Sequence, residues 1–90
     1  MQATKSQVAG AADRFEALLQ AQRDDHRREK ALYHLGRLRK AVEASHQEAV
    51  RFAAFTVNKT VHDAAADWGT ETVDAMAALR AALADAGHEF

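Results

Sequence analysis

At 90 residues the chain has room for one domain, and without cysteine it has neither disulfides nor thiolate metal sites to staple that domain. It has no proline and only four scattered glycines. It therefore lacks the turn punctuation that a sheet needs every several residues, and the abundance of Ala, Leu, Arg, Glu and Gln favours long helices. The net charge of −1 excludes a uniformly basic nucleic-acid-binding domain, but it hides an asymmetry. Residues 21–40 carry seven cations against three acids, and residues 61–90 carry one cation against six acids. The two segments would attract each other in a hairpin or between chains.

In chain order, Thr4, Ser6 and Gln7 fit a capping box and predict a first helix over residues 5–22. Val8, Ala11, Ala12, Phe15, Leu18 and Leu19 lie on one stripe of it. Asp24 or Asp25 opens a second helix, with Glu29 near its positive end. From there Ala31, Leu35, Leu38, Val42, Ser45, Ala49 and Phe52 alternate spacings of four and three, the seam of a bundle. Ser45-His46-Gln47-Glu48 also fits a capping box and would split this helix. The stripe keeps its phase from Val42 to Ala49 and Ala53, however, which favours one helix over residues 26–57. Asn58 serves as a left-handed terminator, and Thr60 to Asp63 start a short helix over residues 61–68 that ends at Gly69. Trp68 reads there as an aromatic plug on a helix end. Thr70 or Thr72 caps a last helix over residues 71–86. Its apolar face holds Val73, Met76, Ala77, Leu79, Leu83 and Phe90, with the Arg80 stem packed alongside.

The expected fold is an all-α single domain over residues 1–90, a bundle of three to four helices with one long central helix. At 1.5 Å per residue that helix would be about 48 Å long and the first only about 27 Å, so the first cannot cover it. The uncovered end is apolar nearly all round, through Ala49, Val50, Phe52, Ala53, Phe55 and Val57. A helix apolar on every side must be buried on every side. Completion of the core by another protein chain, a second copy or a different partner, is therefore the expectation. It makes the chain a small non-enzymatic interaction module: an adaptor, chaperone-like subunit or inhibitor, with these six residues as its interaction core and no cofactor.

Two other readings compete. Arg23, Lys30 and Arg37 recur every seven residues and so form one charged line, with Tyr33, His34 and Lys40 on or beside it. Such a ridge would suit a phosphate backbone, because neutralising phosphates releases counterions, and nucleic acid is the alternative partner. Glu43 and His46 have the Glu-x-x-His spacing of ferritin-like di-iron helices, and Glu16 could supply a further carboxylate. With a single such motif these three remain weak metal candidates. No histidine pair is spaced to grip zinc from one helix face, and no P-loop, dinucleotide turn or nucleophile–base pattern occurs. The opening MQATKSQ lacks the basic then apolar run of a signal peptide, and no apolar stretch approaches the roughly 20 residues of a membrane span. The expected location is cytoplasmic, without a membrane partner.

Overall fold

A computed structural model describes residues 5–23 and 25–88. Five helices follow in order: α1 (Lys5–Gln20), α2 (Asp25–Glu43), α3 (Gln47–Asp63), the single turn α4 (Ala65–Trp68) and α5 (Thr70–Asp85). No strand occurs among the described residues. The all-α expectation holds. The capping roles assigned to Thr4 and Asp24 and the core place given to Phe90 lie outside the described residues, as does the Asp25 side chain.

The long central helix does not form. The chain turns at Ser45, whose φ of 56° is left-handed. His46 N–H bonds to Ala41 C=O, and Ser45 N–H bonds to Val42 C=O. This pair of bonds is a Schellman ending, which satisfies the last carbonyls of α2. His46 then serves α3 as its N-cap, with φ −92° and ψ 93°, its Nδ1 accepting from Ala49 N–H at 3.2 Å. One two-residue joint thus closes one helix and opens the next. The stripe misled because Ala49 and Ala53 carry little phase information: alanine is tolerated on either face.

Downstream the expected break at Asn58 is also absent, and α3 runs on to Asp63. Thr60 does not cap a new helix. It is buried inside α3 and donates its hydroxyl to Thr56 C=O at 2.9 Å. An in-helix carbonyl satisfies it without ending the helix. Gly69 does end α4, as expected. Its φ of 80° is open to glycine at no steric cost and lets the chain swing directly into α5. Thr72 is fully buried; its hydroxyl donates to Trp68 C=O and accepts from Gln22 Nε2 at 3.3 Å. This ties the start of α5 to the segment after α1.

Around the bundle the order is α1, α2, α3, α5. Each of these packs on its two neighbours, while among the described residues the backbones of α2 and α5, and of α1 and α3, make no close approach. The core is shared by Phe15 and Leu19 of α1, Leu35 and Leu38 of α2, Val50, Val57 and Val61 of α3, and Met76, Leu79 and Leu83 of α5. Fully burying a side chain of this kind stabilises by about 1.5–3 kcal/mol. The radius of gyration is 12.0 Å, close to the value of about 12 Å for a compact domain of this length. Within one chain, then, the core is closed. With α2 and α3 separate, no short helix is left to cover a long one.

Candidate functional site

Of the six residues expected to form an interaction core, Val50, Ala53 and Val57 are buried in the bundle and Ala49 is half-buried. The expectation that the whole segment faces a partner is corrected there. Phe52 and Phe55 are the exception, 63% and 66% exposed. The cause is helical geometry. At about 100° per residue, a stripe through Val50, Ala53, Ala54, Val57 and Val61 that faces the core leaves Phe52 and Phe55 on the opposite side. Glu48 and Lys59 fall on the same outward line, four residues before the first ring and four after the second, and both are exposed. Lys59 also pairs with Asp63 at 3.2 Å.

Beside the rings a groove of about 510 Å³ opens between α3 and α5. Phe52, Phe55 and Ala54 give it apolar surface; Glu48, Arg51, Asn58 and, from α5, Arg80 give it polar surface. Arg80 lies exposed on this groove rather than along the packed face of α5, and Ala77 is exposed as well. The rings are legible in the sequence, whereas the charges around them are not. Their signal was the spacing of Glu48 and Lys59 from Phe52 and Phe55, which becomes visible only once the true phase of α3 is known.

The basic segment divides. Arg27 reaches across to Asp67 at 2.7 Å and to Asp63 C=O, and Arg39 pairs with Asp13 of α1. These cations hold helices together. Lys30, Arg37 and Lys40 are exposed, and with Tyr33 they form one outward line on α2 at spacings of three and four. No ion pair joins these three cations to an acid among the described residues. Tyr33 is 62% exposed, with the Arg37 guanidinium 5.9 Å from its ring centroid and His34 packed edge-on against it. Desolvation, then the nearby Arg37 and Lys30 charges, hold His34 below its ordinary pKa of 6.5. Arg23 does not continue this line, because it precedes α2 and lines a separate cavity with Gln22, Asp67 and Trp68.

The metal reading is corrected. Glu43 ends α2 and His46 caps α3, so the two are not on one helix and the Glu-x-x-His geometry is lost. His46 Nδ1 is occupied by Ala49 N–H. Glu16 is half-buried on α1. Among the described residues no three His, Asp or Glu side chains cluster to hold a metal ion, and no helix is long and apolar enough to cross a membrane. Trp68 is buried, as a plug on a helix end should be.

Compared with protein-family models, with curated proteins and with solved structures, the chain matches none.

Proposed function

We propose that this chain is a helical protein–protein interaction module that engages another protein chain through the outward face of α3, with no catalytic step of its own. One observation carries the reading. Phe52 and Phe55 stand side by side on the solvent side of a bundle whose other large aliphatic and aromatic residues are buried in the core or packed against it, Tyr33 apart, among the described residues. Single exposed apolar residues are ordinary, but two aromatic rings together beside a groove, rimmed by charge, have the anatomy of an interface centre. The bundle does not need these rings for its own core, so their placement is free to serve a partner.

The test is a photo-crosslinking amino acid placed at Phe55, with the chain expressed in its native cell. Adducts with a protein chain, of its own or another kind, are the expected result. They should be lost when Phe52 is changed to Ser and absent when the crosslinker sits at Ala81 on the far side of α5. If no protein adduct forms at Phe55, the reading fails.

A second reading is favoured by the line Lys30, Tyr33, Arg37 and Lys40, where an exposed ring lies among cations. Bases stack on such rings while the cations track phosphates, so the α2 face would suit a single-stranded nucleic acid. Gel retardation at about 50 mM salt, abolished by charge reversal of Lys30, Arg37 and Lys40, is its expected signature. Unretarded nucleic acid at that salt rejects it.

A further inference from the structure

We infer that the partner seated on Phe52 and Phe55 is a second copy of this chain, its α3 lying antiparallel across the first. This rests on the proposed role of that face and names its occupant. Symmetry points to this occupant. In an antiparallel pair centred between Phe52 and Phe55, Phe52 meets the partner's Phe55, and Glu48 meets the partner's Lys59. The same two contacts recur on the other side of the axis. A two-fold interface must be self-complementary in this way, each residue finding its counterpart twice. The outward line of α3 has that property: an acid four residues before the first ring and a base four residues after the second, all four exposed.

The alternatives fit less well. A parallel pairing sets Glu48 against the partner's Glu48 and Lys59 against the partner's Lys59, which is repulsive at both ends. An unrelated partner would impose no reason for opposite charges to stand symmetrically about the rings. Four rings, each roughly two-thirds exposed, bring together on the order of 500 Å² of aromatic surface. The rest of the α3 faces and the α5 edges would have to raise this to the roughly 1,200 Å² of a small specific interface. The dimer is therefore of modest strength and exchanges readily. Lys59 can meet the partner's Glu48 while keeping Asp63, since an ammonium has three donors.

The register gives a specific test. Glu48→Lys puts lysine against Lys59 at both ends, and Lys59→Glu puts glutamate against Glu48 at both ends. Each variant alone should dissociate, with the dimer constant weakened about tenfold or more by the like charges. Mixed in equal amounts the two variants should pair with each other, because every contact is again acid against base. Sedimentation velocity over a concentration series reads this directly: wild type moving from 9.9 kDa towards twice that mass, each variant staying near 9.9 kDa, and the mixture recovering. Both positions are solvent-exposed, so circular dichroism should report unchanged helix content. A wild-type chain that stays monomeric into the hundreds of micromolar overturns the inference. So does a dimer indifferent to both charge reversals. A monomeric chain whose Phe55 crosslinks to a different protein would sink the dimer and leave the interaction module standing. Absence of any protein adduct would sink both.

Discussion

Ser45 at the end of α2 occupies the place that Gly87 occupies at the end of α5. Both are left-handed, with φ of 56° and 98°, and both precede a histidine whose N–H bonds to a carbonyl five residues back. The two endings sit at the same end of the bundle, where His88 Nδ1 lies 3.0 Å from Gln47 Oε1 at the start of α3. Only one of them has the residue suited to the conformation. A non-glycine residue in left-handed backbone costs about 1 kcal/mol or slightly more.

Ser45→Gly should accordingly stabilise the fold by somewhat under 1 kcal/mol, because glycine also gains entropy in the unfolded chain. That corresponds to a few degrees in Tm for a domain of this size. Gly87→Ala should act in the opposite direction by a similar amount. Thermal melts followed by circular dichroism decide both; a Ser45→Gly variant that melts lower would show that the joint is not held as described.

The cap on α3 gives a companion prediction. His46→Ala removes the acceptor for Ala49 N–H and should cost about 1 kcal/mol. His46→Asp restores an acceptor and adds a negative charge at the helix start, so it should match or exceed the wild type. If alanine and aspartate behave alike, the ring of His46 is not the cap.

Phenylalanines should separate by location. Phe15 is fully buried, and Phe15→Ala should cost about 3–5 kcal/mol, a large part of the 5–15 kcal/mol that holds an ordinary domain. Phe52→Ala and Phe55→Ala should leave the monomer's stability within about 0.5 kcal/mol. Urea unfolding followed through Trp68, the single tryptophan, measures all three at a concentration low enough to keep the chain monomeric. Equal losses at Phe15 and Phe55 would contradict the phase of α3.

His34 supplies the pH dependence. Its pKa is lowered from 6.5, chiefly by desolvation and then by Arg37 and Lys30. The unfolded ring therefore takes up a proton at higher pH than the folded one. The stability linked to His34 is complete above 6.5 and declines as the pH falls through the lower folded-state value. An NMR titration should place its midpoint below 6.5, and Arg37→Gln or Lys30→Gln should raise it without restoring it fully, because desolvation remains. A midpoint at or above 6.5 contradicts this account.

The stripes of α1, α2 and α5 could be read from the chain because Val8, Phe15, Leu19, Leu35, Leu38, Met76, Leu79 and Leu83 are large, apolar and correctly spaced. The joint at Ser45 could not. Serine stands where glycine would have announced a left-handed residue, and the alanines on either side fit two phases equally well. Asn58 and Thr60 misled for a related reason: residues that cap helices in some contexts are satisfied inside a helix in others, as Thr60 is by Thr56. At the candidate site the apolar excess of residues 49–57 was visible in sequence. Its division into a buried half and two outward rings depended on that same joint. The exposed basic line of α2 was legible except for Arg23, which belongs to the connection before the helix.

The diagonal placement of α2 and α5 has a consequence for the molecule at a distance. Lys30, Arg37 and Lys40 stand on one corner of the bundle, and Glu71, Asp74 and Asp85 on the opposite one. A net charge of −1 therefore belongs to an object with two poles. Beyond a Debye length of about 10 Å it is nearly neutral; within that length it turns. At low ionic strength it should present α2 to an anionic surface and α5 to a cationic one, so that salt governs its orientation more than its attraction.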